Sequence, residues 1–374
     1  MASPSAFGFP AVWLRHNCPC PDCRDPVTGQ RLVEITPLSN GPLATVTGES
    51  DDSIEVTFTP DGHRSVFSRA WLAASALDGD VDGDADARTE DGKALWRAAS
   101  VGAVPAADWA AYRVDDSVRL SLLDAVARSG AGLLRGVPAA AGMVTAVAET
   151  FGFVGETNYG RIFDVRVVAD PANLAFTSRA IEPHTDNPYR DPVSTLQLLH
   201  CLRDASSGGD TVLVDGFAAA AALRAADPLS FGVLTSTPVR FAYVDKAASL
   251  TACQPLIALS TRGRIDCVRL NNRSMQPVRL PYGEAAAFYA AYRAWAAIVA
   301  RPEFALGLRL APGDCLVFDN TRILHARTAF APAPSPSASP GSGERHLQGC
   351  YADLDGLLST LAVLRRPQAP TNPR

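Results

Sequence analysis

The sequence predicts a mainly β protein with flanking helices, built as a double-stranded β-helix (jelly roll) behind a small N-terminal β domain. Many short strand candidates with few helices between them favour stacked sheets over a parallel sheet. The chain has 374 residues, enough for two domains, and its hydrophobic fraction of 47% provides ample material for a core. An acidic run at 78–86 without apolar periodicity separates the two parts.

Three segments follow from this division: an N-terminal domain at 1–77, an acidic linker at 78–95 and a jelly-roll domain at 96–374. In the first, residues 33–36, 53–58 and 63–67 alternate as half-buried strands do. In the third, helices are predicted at 116–129, 141–151, 217–226 and 282–300. Strands are predicted there at 195–201, 211–214, 239–244, 264–270, 315–318 and 322–328, and a Pro/Ser/Ala-rich surface loop at 331–343.

The composition excludes several classes of function. The formal net charge is −5, whereas general binding of nucleic acids needs a basic excess. No stretch approaches the roughly 20 apolar residues that span a bilayer, and the first residues do not resemble a secretory signal. We therefore expect a cytoplasmic protein that acts on a small molecule, with no nucleic-acid or membrane partner.

Cys18, Cys20 and Cys23 predict a structural zinc site in the N-terminal domain. Three thiolates this close together can meet on one tetrahedral ion, which needs a fourth ligand to be closed. His63 is the preferred fourth ligand, and His16 is its rival, although the short spacing to Cys18 would strain a shared chelate. The alternative is a set of reactive or merely buried thiols, which would be an oxidation liability in a cytosolic chain.

His184, Asp186 and His325 form a second candidate metal site. Two imidazoles and one carboxylate can occupy one face of an Fe(II) ion and leave the opposite positions open for a co-substrate and O₂. The alternative is histidines that serve unrelated roles in the core. Arg345 argues against that alternative, because its guanidinium can bind a distal carboxylate in a bidentate manner.

These motifs carry a resemblance to a known family. Over nearly its full length, the chain resembles the γ-butyrobetaine dioxygenase and trimethyllysine dioxygenase group of Fe(II)/2-oxoglutarate oxygenases, which includes related 2-(trimethylamino)ethylphosphonate dioxygenases. The segments that carry the resemblance are 13–23, 184–186, 197–201, 208–210, 214–217, 312–314, 318–320, 324–325 and 345–351. They are highly specific together, although none of them is specific alone.

The resemblance implies ligands for each metal and for the co-substrate. It places zinc on Cys18, Cys20, Cys23 and His63, and iron on His184, Asp186 and His325. It places the distal 2-oxoglutarate carboxylate on Arg345, with Leu199 and Thr211 lining the co-substrate pocket. The chain departs from the family at His16, where relatives usually carry Asp. It also carries an insertion before Arg345, which makes Arg327 an alternative for the carboxylate.

The resemblance further implies a trimethylammonium substrate. The positions that relatives use as an aromatic cage are occupied here by Tyr159, Phe163, Phe176 and Tyr351, which would otherwise be ordinary core residues. The residues expected at the anionic end of the substrate are Asn173, Asn187, Tyr189, Arg190, Asn272 and Arg273. Two arginines exceed what one carboxylate needs and would suit a phosphonate, unless they are only surface or ion-pair residues.

The predicted reaction is hydroxylation of γ-butyrobetaine to L-carnitine. The same reaction with 2-(trimethylamino)ethylphosphonate as the substrate is the first alternative, trimethyllysine is the second, and a non-catalytic binding protein is an alternative of a different class. The expected cofactors are Fe(II), 2-oxoglutarate, O₂ and structural zinc, with ascorbate as an optional addition. A homodimer is expected from the resemblance.

Overall fold

The computed structural model describes residues 8–36, 38, 43–75, 92–167, 177–204, 207–330 and 345–366. The chain divides into two compact units, Met1–Asp86 and Ala87–Arg374. Most of the predicted linker and the whole of the predicted loop at 331–343 lie outside the described residues. The predicted domain boundaries at 77/78 and 95/96 therefore stay predictions.

The first unit contains a three-stranded antiparallel sheet with one helix before it and one after it in the chain. Its elements are α1 (Ala11–His16), β1 (Leu43–Glu49), β2 (Ser53–Thr59), β3 (Arg64–Ser68) and α2 (Arg69–Ser75), with the strands in the order β1-β2-β3. Ile54, Val56 and Phe58 of β2 are fully buried, as the period of two in a half-buried strand requires. The strand predicted at 33–36 is wrong, because β1 takes the edge position beside β2.

The second unit contains the remaining elements. Its helices are α3 (Ala98–Val101), α4 (Trp109–Val114), α5 (Asp116–Ser129), α6 (Met143–Ala148), α7 (Gly216–Ala226), α8 (Pro228–Ser236), α9 (Tyr282–Val299) and α10 (Leu354–Leu364). Its first strands are β4 (Ala106–Asp108), β5 (Ala131–Arg135), β6 (Val154–Gly155), β7 (Phe163–Val165), β8 (Ile181–His184), β9 (Leu196–Arg203) and β10 (Thr211–Asp215). They are followed by β11 (Val239–Val244), β12 (Ser249–Gln254), β13 (Ile257–Leu259), β14 (Ile265–Val268), β15 (Leu306–Leu308), β16 (Cys315–Asp319), β17 (Ile323–Arg327) and β18 (His346–Ala352).

Two sheets of the second unit face each other across a buried layer. The larger has the order β4-β5-β16-β9-β18-β6, with β7 also paired to β18, and it is mixed because β4 and β5 run parallel. The smaller has the order β15-β10-β17-β8 and is antiparallel. Leu133, Leu199 and Leu316 of the larger sheet pack with Leu213 and Ile323 of the smaller one in a single cluster.

Helices cover the outer face of each sheet. Leu122 of α5 and Leu361 of α10 pack in the cluster on the outer face of the larger sheet. Trp295 of α9 packs with Val214 in the cluster on the outer face of the smaller sheet. Consecutive residues of β10 thus pack in different layers, since Leu213 faces the other sheet and Val214 faces the helices.

The elements that the sequence predicts in the second unit are confirmed. The predicted ends of each helix and strand lie within three residues of the observed ends. None of the helices in the described parts of the chain combines the length and the apolar character that crossing a bilayer would require.

A fully buried ion pair connects the elements of the second unit. Arg322, between β16 and β17, donates from Nη2 to Oδ2 of Asp215 at 2.7 Å and from Nε to Oδ1 at 3.1 Å, and both side chains are 0% exposed. The same guanidinium donates to the backbone carbonyls of Ala94 and Arg128. Asp215 also accepts hydrogen bonds from the amide of Trp96 and from the first turn of α7. Each charge is therefore compensated by several hydrogen bonds.

Replacement of one partner of this pair is expected to destabilise the fold strongly. Arg322→Leu leaves the Asp215 carboxylate buried without its counter-charge, so we expect a loss of about 3–5 kcal/mol in the free energy of unfolding. Denaturant unfolding followed by tryptophan fluorescence measures it. The matched control is Arg161→Ala, which breaks an ion pair with Glu149 between side chains that are 53% and 56% exposed. That control should change stability by less than about 1 kcal/mol, and an equal effect of both variants would contradict the prediction.

Candidate active site

A cavity of about 460 Å³ lies between the two sheets of the second unit. Its walls include Leu199 of β9 and Tyr351 of β18 from the larger sheet, and Thr211 of β10 and His325 of β17 from the smaller one. The volume falls in the range of sites that bind small molecules.

His184, Asp186 and His325 converge on this cavity. The pairing of β8 with β17 places His184 opposite His325, and the two ring centroids are 4.1 Å apart. Oδ1 of Asp186 is 3.4 Å from Nε2 of His184 and 4.0 Å from Nε2 of His325. Ligand atoms at 2.0–2.2 Å from one ion stand roughly 3 Å apart. The three side chains therefore need only small movements to share one metal ion.

Hydrogen bonds orient the histidine and the carboxylate. Nδ1 of His184 donates to the backbone carbonyl of Glu182 at 2.9 Å, which leaves the lone pair of Nε2 for a metal. Oδ2 of Asp186 accepts from Nε2 of Gln197 at 2.8 Å and from the hydroxyl of Tyr351 at 2.9 Å. The other carboxylate oxygen, Oδ1, is thereby turned toward the two imidazoles.

The electrostatics of the cluster suits metal binding. Burial would raise the pKa of Asp186, but the adjacent imidazoles of His184 and His325 outweigh burial and hold that pKa below its usual range. Burial lowers the pKa of His325 to about 3, so this ring is neutral near pH 7. An ionised carboxylate beside a neutral imidazole is the protonation state that metal ligands need.

The loop that carries Asp186 is fixed from two sides. The side-chain amide of Asn320 accepts from the backbone N–H of Asp186 at 2.7 Å and donates to its carbonyl at 3.0 Å. On the other side, Thr185 exchanges hydrogen bonds with the backbone of Leu270. Sequence reasoning gave Asn320 no role, although Asn320 belongs to the segment 318–320 that carries the family resemblance.

Arg345 is a buried cation that lines the cavity. Its side chain is 5% exposed and lies over the ring of Phe330 at 5.9 Å, and it makes no hydrogen bond within the described parts of the chain. Burial lowers the pKa of Arg345, which nevertheless stays charged near neutral pH. Gly209 has a φ of +76°, and a Cβ there would come within 2.9 Å of Cδ of Arg345. Both the backbone and the arginine thus require glycine at this position.

Two further arginines line the cavity. Nη2 of Arg327 donates to the backbone carbonyls of Thr177 and Arg179 at 2.6 and 2.7 Å, and burial lowers its pKa to about 10. Arg273 follows β14 and interacts electrostatically with Asp186 across the cavity. The cavity therefore contains three guanidinium groups, of which Arg327 is already bound to backbone carbonyls.

One wall of the cavity is aromatic. Phe163 stacks on Tyr351 with ring centroids 5.0 Å apart, and Tyr189 stacks on Tyr243 at 5.1 Å. Tyr159 stands edge-on to Tyr243 at 5.6 Å. Sequence reasoning predicted the strand of Tyr243 but missed its place in the cavity, because nothing in the local pattern distinguishes it from an ordinary strand residue.

The hydroxyl groups of this wall form a directed network. The hydroxyl of Tyr189 donates to Oδ1 of Asn187 at 2.8 Å, so the hydroxyl of Tyr159, 2.8 Å away, donates to Tyr189. The hydroxyl of Tyr243 donates to Asp245 at 2.7 Å. Asn187 has a φ of +55°, a left-handed conformation that asparagine tolerates better than most residues.

The other predicted substrate residues divide into three groups. Asn173 and Phe176 lie outside the described residues. Asn187, Tyr189 and Arg273 line the cavity, whereas Arg190 and Asn272 do not. Arg190 donates to Oδ1 of Asn158 at 2.6 Å, and Asn272 is exposed because residues 271–274 form a turn. That turn brings Asn271 and Ser274 of the same segment to the cavity instead.

The predicted zinc ligands converge in the first unit. Nε2 of His63 lies 3.2, 3.5 and 3.5 Å from the sulfur atoms of Cys18, Cys20 and Cys23. Ser65 donates to Sγ of Cys18 at 2.8 Å, and Arg15 donates to Sγ of Cys23 at 3.3 Å. His16 does not belong to the group of converging donor atoms in the described ranges. The four side chains form a compact donor set with the composition of a structural zinc site.

Family models match both units. The model of the taurine catabolism dioxygenase TauD, TfdA family matches residues 91–351. The model of the gamma-butyrobetaine hydroxylase-like N-terminal domain matches residues 3–73.

Relatives of known name match over nearly the whole chain. The gamma-butyrobetaine dioxygenase of Pseudomonas sp. (strain AK-1) is 36% identical, and the match covers 96% of this chain and 91% of the relative. The human gamma-butyrobetaine dioxygenase is 30% identical over 96% and 91% of the two chains. The mitochondrial trimethyllysine dioxygenase of Gallus gallus is 28% identical over 95% and 83%.

Asn320→Ala is expected to weaken binding of a divalent metal. Loss of the amide frees the loop that carries Asp186, and loss of an outer hydrogen-bond partner of a metal site typically lowers metal affinity by about 10- to 100-fold. Anaerobic calorimetric titration with Fe(II) measures the affinity without turnover. Thermal unfolding of the metal-free variant shows whether the fold is retained. An unchanged affinity in a folded variant would contradict the positioning role of Asn320.

Proposed function

Because the chain belongs to the TauD/TfdA family of dioxygenases, which are iron- and 2-oxoglutarate-dependent, we propose that it hydroxylates γ-butyrobetaine to L-carnitine. Dioxygenase activity follows from membership of the family, whereas the substrate is the proposal. The observation that carries it is an aromatic wall in the same cavity as the two imidazoles and the carboxylate. We further propose that the two facing sheets form a double-stranded β-helix.

In this proposal, Nε2 of His184, Oδ1 of Asp186 and Nε2 of His325 would hold the iron. Bound iron supplies, together with 2-oxoglutarate and O₂, the oxidising chemistry that hydroxylates an unactivated C–H bond. Three protein ligands would leave further coordination positions of the ion for 2-oxoglutarate and O₂, as that chemistry requires. Gln197 and Tyr351 keep the carboxylate in position through their hydrogen bonds to Oδ2 of Asp186.

Arg345 binds the distal 2-oxoglutarate carboxylate in this proposal. Its buried guanidinium has no hydrogen bond within the described residues, whereas Arg327 already donates to two backbone carbonyls. This difference favours Arg345 over the alternative Arg327. Leu199 and Thr211 line the same cavity and limit the space for the co-substrate.

The aromatic wall binds the trimethylammonium group. This cation cannot donate hydrogen bonds, so ring faces are its best partners, and each contributes about 0.5–2 kcal/mol. Tyr159, Phe163 and Tyr351 belong to the cage that the sequence predicts, and Tyr189 and Tyr243 extend it. Water is displaced from these rings when the substrate binds, which adds an apolar contribution.

The cysteine cluster of the first unit is proposed to hold a structural zinc ion. Hydrogen bonds from Ser65 and Arg15 stabilise thiolate charge at Cys18 and Cys23, and His63 supplies the neutral fourth donor. The cytoplasmic location, the homodimer and the use of ascorbate stay predictions from the sequence.

Succinate production tests the proposed reaction. The purified protein with Fe(II), 2-oxoglutarate and O₂ should form succinate in step with γ-butyrobetaine added, and His184→Ala should abolish this, because one of the three iron ligands is lost. Trimethyllysine and 2-(trimethylamino)ethylphosphonate are assayed in parallel. If none of the three compounds stimulates succinate formation, the proposed substrate class is wrong.

The phosphonate is a second candidate, and Arg273 is the observation that favours it. Arg273 lines the cavity in addition to Arg345 and Arg327, and a phosphonate carries more charge than a carboxylate, so it gains more from this guanidinium group. Arg273→Ala removes a charge-assisted hydrogen bond, so the KM for the true zwitterion should rise about 10- to 100-fold, with little change in the KM for the co-substrate.

The control for Arg273→Ala is Arg262→Ala, which removes the same charge from an exposed turn outside the cavity. If the loss in Arg273→Ala is confined to the phosphonate and spares γ-butyrobetaine, the result supports the second candidate. Equal KM values in both variants would exclude Arg273 from the anionic end of the site.

A further inference from the structure

Gly349 occupies a position on β18 whose side chain would point into the cavity. Leu347 and Tyr351, two residues before and after it, both line the cavity, and successive odd positions of a strand share one face. Phe163 of β7 lies directly opposite Gly349 in the register of the two strands. The strand on the other side contributes Leu199, also a cavity residue, as the second neighbour of Gly349.

The ring of Phe163 lies in the space that a side chain at 349 would need. A Cβ built on Gly349 would overlap the outer carbons of the Phe163 ring, far inside van der Waals contact. The backbone does not require glycine here, because Gly349 is in a regular strand without a positive φ. The position of the Phe163 ring is therefore what requires a residue without a side chain.

This arrangement fixes the aromatic wall relative to the metal ligands. With its ring against Gly349, Phe163 stacks on Tyr351 at 5.0 Å, and the hydroxyl of Tyr351 donates to Asp186. We propose that Gly349 is a specificity-determining residue. It leaves the space in which the Phe163 ring lies, and so it sets the distance from the aromatic wall to the metal ligands. The inference rests on the proposed function for the identity of the substrate, and on geometry alone for the contact between Gly349 and the Phe163 ring.

A methyl group at 349 displaces the ring without disturbing the fold of the sheet. The contacts are with the far end of a side chain, which can rotate, and the strand backbone accepts alanine. The rotated ring loses its stacking on Tyr351 and enters the volume that the trimethylammonium group would occupy. The variant should therefore bind the quaternary ammonium poorly while it keeps its affinity for 2-oxoglutarate.

Steady-state kinetics of Gly349→Ala test this expectation. We expect the KM for γ-butyrobetaine to rise about ten-fold, because the loss of one cation–π contact weakens binding by roughly this factor. The KM for 2-oxoglutarate should stay unchanged, and kcat should change much less than the KM for γ-butyrobetaine. The ratio of kcat/KM for γ-butyrobetaine to that for 4-(dimethylamino)butanoate should fall, because the wall no longer fits the third methyl group.

The matched control is Gly155→Ala on β6, which pairs with β18 at Tyr351. A Cβ at Gly155 would have its nearest neighbour at 3.6 Å, an ordinary contact, so the same substitution in the same sheet should leave the KM values unchanged. Equal effects of Gly155→Ala and Gly349→Ala on the KM for γ-butyrobetaine would overturn the inference.

A double-mutant cycle with Phe163→Ala tests the contact between position 349 and the Phe163 ring without any substrate. In the Phe163→Ala background the space beside position 349 is free, so Gly349→Ala should lower the midpoint of thermal unfolding less than it does in the presence of Phe163. Additive effects of the two substitutions would overturn the proposed contact between Gly349 and Phe163. This measurement needs no turnover, so it is independent of the proposed function. Failure of the proposed function would be seen instead as absent succinate formation in the unsubstituted protein.

Discussion

The buried ion pair of Asp215 and Arg322 is the interaction on which the rest of the second unit depends. Asp215 ends β10 and begins α7, and Arg322 lies in the connection along which the chain passes from the larger sheet to the smaller one. Two residues before Arg322, Asn320 holds the loop that carries Asp186. The ion pair therefore fixes the same turn that positions a ligand of the candidate iron site. The buried ion pair that stabilises the fold thus also helps to hold Asp186 in position.

The sequence predicted the parts of this protein that local spacing determines. Short strands, their alternation and the main helices follow from hydrophobic periodicity, which is a property of a few consecutive residues. The group of Cys18, Cys20 and Cys23 is also local, so its convergence could be expected from the chain alone. His184 and His325 are different, because β8 and β17 meet only through long-range pairing. Their association could be predicted from the family resemblance, but not from spacing.

The parts that could not be predicted depend on contacts between distant segments. The strand at 33–36 was wrong because β2 pairs with β1 instead, and local periodicity does not determine the pairing partner of a strand. In the stretch 269–274, a turn decides that Asn271 rather than Asn272 faces the cavity. Tyr243 joins the aromatic wall because the end of β11 lies at the cavity, which no pattern in β11 itself reveals.

The hydroxyl network of the aromatic wall has a consequence for how a zwitterion can lie in the cavity. Tyr159 donates its hydrogen to Tyr189, Tyr189 to Asn187, Tyr243 to Asp245 and Tyr351 to Asp186. All four hydroxyl hydrogens are thus used within the protein, and only oxygen lone pairs and ring faces remain for a ligand. A wall rich in tyrosine therefore offers an anion no donor from these hydroxyls, although it can surround a cation. The polarity of the wall therefore favours one orientation of a zwitterion, with the positive end toward the tyrosines and the negative end away from them.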